Sequence, residues 1–142
     1  MWIFLNDGFF SIVEDQNDSD RLVVRARNKD DIPTVFGVKP GRVIETRHRD
    51  YRYRIFLDRE TVAKVIQEEV MSINYGNFKD SIAKDDKERK NAYTGVWSEM
   101  YQYQDELHPD QTPWWEIRYK YSRNRGYYED DEEYGQHGVL DV

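Results

Sequence analysis

The chain has 142 residues, 38% hydrophobic and 35% charged, with a formal net charge of −7 and no cysteine. That length suits one domain with a tail, and the missing cysteine excludes a disulfide scaffold, thiol catalysis and Cys-ligated metal. Eleven Tyr, six Phe and four Trp separate it from disordered chains, which are poor in aromatics, and predict a core built on large rings.

The opening, "WIFLNDGFFSIVED" (2–15), reads as a β-hairpin turned at Asp7-Gly8, with aromatic and β-branched residues on both sides. "RLVVRARN" (21–28) alternates, with Leu22, Val24 and Ala26 on one side and Val23, Arg25 and Arg27 on the other. "NKDDIPTVFG" (28–37) predicts a short helix capped by Asn28 and stopped by Gly37, with Pro33 keeping it brief. "GRVIETRHRDYRYRIFLD" (41–58) reads as two strands turned near His48–Asp50 or as one bent strand, with Tyr51, Tyr53, Ile55 and Leu57 sharing a face.

The stretch 58–73 is the strongest helix. Val62, Val65, Ile66, Val70 and Ile73 form its apolar stripe, and Asp58 is placed to cap it. "NYGNFKD" (74–80) then reads as a joint: Asn74 and Gly76 end one helix, Asn77 caps the next, and Phe78 packs between them. The joint does not require Tyr75 or Lys79, which makes them candidate interface residues. A second helix is predicted over 92–104, with the charged run before it as its solvated first turns. After a Pro-containing loop, "WWEIRYKY" (114–121) alternates like a late strand, with Trp115 facing the core and Trp114 a candidate protein anchor.

Residues 129–142 carry Glu129, Asp130, Asp131, Glu132, Glu133 and Asp141 with no Lys or Arg; these account for −6 of the −7 and leave −1 for residues 1–128. The acidic run belongs to a tail over 122–142 that reads as flexible, following a single domain over 1–121. Three roles are open to it: a solvated end, a competitor for a basic patch, or a mimic of a DNA backbone. The pattern as a whole predicts an α+β fold, an antiparallel sheet packed on one face by two or three helices. A ferredoxin-like relative with an extra C-terminal strand is the expected topology.

In this order, "MWIFLNDGFFSIV", "DRLVVRAR", "DYRYRIFLDRE", "INYGNFKDS" and "VWSEMYQYQ" resemble a family of small bacterial and phage-borne proteins. The resemblance covers roughly residues 1–104 and brings no catalytic residues with it. The resemblance names no mechanism. Taken with the small size, the surplus aromatics, the segregated charge and the missing catalytic motifs, it leads to the expectation of a non-enzymatic interaction protein that modulates or inhibits a host complex of the defence or nucleic-acid-handling kind. A single-stranded nucleic-acid-binding module is the alternative.

The motifs of common enzymes are missing. His48, His108 and His137 are scattered without metal-ligand spacing, and no nucleophile elbow or phosphate-binding loop is present. His48, between Arg47 and Arg49 on a predicted strand, reads as a surface histidine. No catalytic, cofactor or metal site is expected. The arginines carry more information: Arg25 with Arg27, Arg47 with Arg49, and Arg52 with Arg54 each share a strand face. Arginines interleaved with aromatics on a sheet can hold single-stranded nucleic acid, cations meeting phosphates and rings meeting bases. Against that, Glu14, Glu45 and Asp58 are available as cross-strand partners, the routine arrangement for sheet arginines, and the body is near neutral where most nucleic-acid binders are basic. The chain lacks an apolar run near the ~20 residues that span a bilayer, and its start lacks a basic n-region; a soluble cytoplasmic protein is expected, with a protein partner, a nucleic acid or a second copy of itself as candidate ligands.

Overall fold

Backbone pairing starts at the N-terminal end, where β1 (Trp2–Leu5) and β2 (Gly8–Asp15) form an antiparallel hairpin with Leu5 opposite Gly8. The turn is therefore Asn6-Asp7, one residue earlier than the sequence predicts. Gly8 serves the strand instead. A Cβ there would lie 2.5 Å from Cζ of Phe10, so the missing side chain is the room that the Phe10 ring occupies. β3 (Asp18–Ala26) pairs antiparallel with β2, and β5 (Tyr53–Asp58) pairs with both β3 and the short β4 (Ile44–Glu45). The five-stranded order is β1-β2-β3-β5-β4.

This computed structural model describes residues 1–109 together with Thr112 and Glu116. The strand predicted at 114–121, Trp114 and the acidic tail with Glu129, Asp130, Asp131, Glu132 and Glu133 lie outside the described residues. Two compact units divide the chain, Met1–Lys87 and Glu88–Val142.

The α+β class is as predicted, with every strand pair antiparallel. The order differs from the interleaved β-α-β-β-α-β of a ferredoxin-like sheet, because β1, β2 and β3 succeed one another without a helix and lie side by side. Alternation then sorts the side chains. Phe10, Ile12, Val24, Ala26, Ile55 and Leu57 point to one face and form the core with Ile32, Phe36 and Val62 from the helices α1 (Asp31–Phe36) and α2 (Arg59–Met71). Burying such side chains contributes roughly 1.5–3 kcal/mol each, so this face holds the sheet and the two helices together.

The helix boundaries depart from the sequence pattern for local reasons. Asn28 does not cap a helix from 28: its Oδ1 accepts from the Asp30 N–H at 3.2 Å and closes a turn of its own. The helix starts three residues later and stops, as predicted, at Gly37, whose φ of 60° is left-handed. Asp58 flanks α2 without a side-chain capping bond. The α2 stripe is also narrower than predicted: Val62 is buried and Val65 and Ile66 touch the core, whereas Val70 and Ile73 are exposed.

α2 ends at Ser72, φ −87°, whose N–H donates to Glu68 O at 3.0 Å. Gly37 is the glycine with positive φ among the described residues, so the left-handed stop expected of Gly76 is not how this helix closes. Asn77 does cap α3 (Phe78–Ser81), accepting from the Lys79 N–H at 3.1 Å. That helix is a single turn, and the longer α4 (Lys87–Leu107) begins after it and exceeds the predicted 92–104 at both ends.

Candidate nucleic-acid interface

The sheet face opposite α1 and α2 is assembled by register. Trp2 lies across from Ser11, Ser11 from Arg25, Arg25 from Arg54, and Arg54 from Ile44. One row of side chains thus crosses all five strands, and its centre is a pair of arginines directly opposite each other. Like charges in that relation destabilise a sheet. The arrangement costs stability unless an anion offsets it.

Local partners hold the pair without neutralising it. The Arg25 Nη2 donates to Ser11 Oγ at 2.6 Å, and the Arg54 Nη2 donates to the Tyr51 carbonyl at 3.1 Å. Period two predicts that Tyr51 shares the core face with Tyr53. Strand β5 begins only at Tyr53, however, and the preceding loop turns Tyr51 onto the arginine face. Its ring lies 4.8 Å from the Arg25 guanidinium, 4.6 Å from that of Arg27, and 6.3 Å from the Phe9 ring. Tyr51 is only 3% exposed. Among the described residues its hydroxyl, the Arg25 Nε and the Arg54 Nε are all buried without a hydrogen-bond partner.

Of the three carboxylates predicted to neutralise the arginines, Glu45 does so for two of them, Glu14 pairs with Arg59, and Asp58 pairs with none among the described residues. Glu45 binds Arg52 at 2.6 Å and Arg47 at 3.4 Å, and Glu14 binds Arg59 at 2.9 Å. The Arg52 hydrogen bond holds the Glu45 carboxyl below its usual pKa, and Glu45 in turn raises that of Arg52. Asp58 stands opposite Arg21 in the ladder but makes no ion pair with it. Arg21 instead lies over the Phe56 ring at 5.3 Å. Arg21, Arg25, Arg27 and Arg54 therefore have no carboxylate within ion-pairing distance among the described residues.

The six predicted arginines thus separate into two groups. Arg25, Arg27 and Arg54 come together around Tyr51. Arg47 and Arg52 gather on Glu45, and Arg49 lies exposed in the turn between β4 and β5. His48 shares that turn and is exposed, not on a rigid strand as its sequence context suggests. Among the described residues no group of three or more His, Cys, Asp or Glu could hold a metal ion, and no helix is long and apolar enough to cross a membrane.

Sequence reasoning missed the aromatic edge of this face. Trp2, 69% exposed, meets Phe9 edge-on at 6.0 Å, and Phe9 stacks on Phe4 at 4.5 Å. These residues read only as hairpin flanks. Period two within β1 and β2 groups Trp2 with Phe4 and Phe9 with Ser11, but the register that joins them to the arginines is not written locally. With strands about 4.8 Å apart, Trp2 and Arg54 are roughly 14 Å from one another across the sheet.

Tyr75 and Lys79 belong to a separate region. Tyr75 rests 6.1 Å from the Phe78 ring and lines an open groove of ≈ 790 Å³ with Ile3, Ile66, Val70, Asp7 and Glu69. Burial pushes the Glu69 pKa up, and the nearby carboxylates of Asp7 and Glu68 push it further. Compared with family models, curated proteins and solved structures, this chain finds no match.

Proposed function

We propose that this chain is a non-enzymatic binding module that holds a single-stranded nucleic acid across the sheet face opposite α1 and α2. The observation that carries the reading is the cross-strand pair Arg25–Arg54, without a carboxylate partner among the described residues and flanked by Trp2, Phe9 and Phe56. Guanidiniums meet phosphates, and rings accept bases of any sequence because every base has a π-face. Sheet surfaces that work this way stack two or three bases, which fits a row from Trp2 to Arg54. The reading calls for no cofactor and no catalytic residue, and it suits a cytoplasmic protein.

Fluorescence anisotropy with labelled single-stranded RNA and DNA at low salt tests it. Binding should appear in the wild type, weaken at least tenfold in Arg25→Glu and in Arg54→Glu, and survive in Arg52→Glu, because Arg52 is already paired with Glu45. Absence of binding, or equal loss in all three variants, overturns the reading.

A second reading has its own observation. On α4, Val96, Met100, Tyr103 and Leu107 recur at helical spacing and are 39%, 58%, 55% and 56% exposed. A protein partner of the host, bound through a groove that accepts this stripe, would agree with the resemblance to phage-borne proteins and with a modulating or inhibiting role. Co-purification that recovers the same partner with wild type and with Met100→Glu would count against it, as would indifference to Trp114→Ala if Trp114 is the anchor.

A further inference from the structure

We infer that the place over Arg25 and Arg27 is a nucleobase site, and that Tyr51 occupies it in the unliganded protein. This inference rests on the proposed nucleic-acid reading and specifies where one base of the strand goes.

A base held on a sheet needs a flat apolar surface, a cation over the ring, and a second aromatic beside it. The Tyr51 ring has all three. The Arg25 and Arg27 guanidiniums lie 4.8 and 4.6 Å from its centroid, and Phe9 lies beside it at 6.3 Å. Each of these partners belongs to the sheet or to its immediate continuation, whereas Tyr51 belongs to the segment between β4 and β5. The sheet supplies the receptor and the connecting segment supplies the occupant.

Two further features distinguish this from ordinary packing. A buried tyrosine normally finds a partner for its hydroxyl, yet here the hydroxyl is buried and unpartnered among the described residues. A base carries hydrogen-bonding groups at its edge, and the phosphate attached to it carries more, so a nucleotide could satisfy the Arg25 Nε and Arg54 Nε that the phenol ring leaves without partners. The backbone of Tyr51 is held by side chains and not by a strand ladder. Its carbonyl accepts from the side chains of Arg54 and Thr46, and its N–H is held only by the Asp50 side chain at 2.8 Å. Of the preceding strand, Ile44 and Glu45 pair with β5, and the segment is also tied by the Thr46 N–H to the Arg52 carbonyl and by the Arg27 Nη1 to the Asp50 carbonyl, each at 2.7 Å. Departure of the ring has to loosen these bonds but none of the β3–β5 ladder.

Displacement of Tyr51 lowers apparent affinity by the fraction of time the place is vacant. Removing the ring should then tighten binding. In anisotropy titrations with a short labelled oligothymidylate, Tyr51→Ala should bind about tenfold more tightly than wild type, a gain of about 1.4 kcal/mol, and Tyr51→Phe should bind like wild type. Equal or weaker binding by Tyr51→Ala, with wild type still binding and the melting curve still cooperative, overturns the base site and leaves the broader reading standing. Failure of every protein to bind overturns both.

If Tyr51→Ala does not fold, hydrogen exchange on the wild type decides the question. Amides of 46–52 should exchange faster when the oligonucleotide is bound, because the segment is pushed off the sheet. Slower exchange there would mean that Tyr51 stays and the base binds elsewhere.

Discussion

Replacing Gly8 with alanine should destabilise the sheet through a single collision. The added Cβ would stand 2.5 Å from Cζ and 2.6 Å from Cε2 of Phe10, and 3.4 Å from Cβ of Asp31. Carbon atoms rest at about 3.5–4.0 Å, so the ring must retreat by roughly 1 Å. It has nowhere to go: Phe10 is fully buried, and its ring meets Phe36 edge-on at 5.3 Å. Overpacking of this kind costs about 1–3 kcal/mol, against a gain of about 0.4–1 kcal/mol from the stiffer unfolded chain. A net loss of about 1–2 kcal/mol should lower the melting temperature by roughly 3–7 °C at this size. Gly76→Ala is the control, since nothing lies within 4 Å of its Cβ position and its φ is not left-handed. Urea and thermal melts followed by circular dichroism measure both. A Gly8→Ala midpoint equal to that of wild type would refute the steric account, because the ring would then have room that the packing denies.

Glu69, Asp31 and the arginines without a carboxylate partner among the described residues each carry a further expected outcome. Glu69 has a folded pKa above its ordinary value, so the native state binds the proton more readily than the unfolded chain and stability falls as pH rises through the carboxylate range. Glu69→Gln should flatten that part of the pH–stability curve and raise stability at neutral pH; a wild-type curve that instead rises over the same window would contradict the assignment. Asp31→Ala leaves the Phe9 N–H without the carboxylate oxygen it now meets at 3.1 Å. It should cost about 1–3 kcal/mol and speed exchange of that amide, with Asp31→Asn losing less, as urea melts combined with hydrogen exchange would show. Binding of a single strand by Arg21, Arg25, Arg27 and Arg54 should weaken with salt at a log–log slope near about −3, from roughly 0.7 per phosphate neutralised. A slope indistinguishable from zero in anisotropy titrations would mean that these guanidiniums do not meet phosphates.

The sheet is readable in the sequence because burial on one face imposes period two: Leu22, Val24 and Ala26 against Arg25 is a pattern with few alternatives. The α1 stop at Gly37 and the Asn77 cap are readable because each depends on one residue's local chemistry. What escapes depends on how side chains pack and where strands begin, which the residue pattern does not encode. Gly8 looks like a turn residue until the Phe10 ring is placed, and Tyr51 looks like a core residue until β5 is seen to start two positions later. Glu45 illustrates the same limit for charge: the sequence offers it to any of several arginines, and only the fold assigns it to Arg47 and Arg52. Which cations remain unneutralised is a property of the folded chain.

The bond from the Phe9 N–H to the Asp31 carboxylate has a mechanical consequence. Phe9 projects its ring toward the arginine face, while its peptide is anchored from the other side by a nearly inaccessible carboxylate at the start of α1. The sheet at that point resembles a key on a pivot, with the aromatic head on one side and the counterweight on the other. A change in how α1 seats would tilt the ring that neighbours Trp2 and Tyr51, so substitutions beneath the sheet, far from any ligand, should retune what its upper surface can hold.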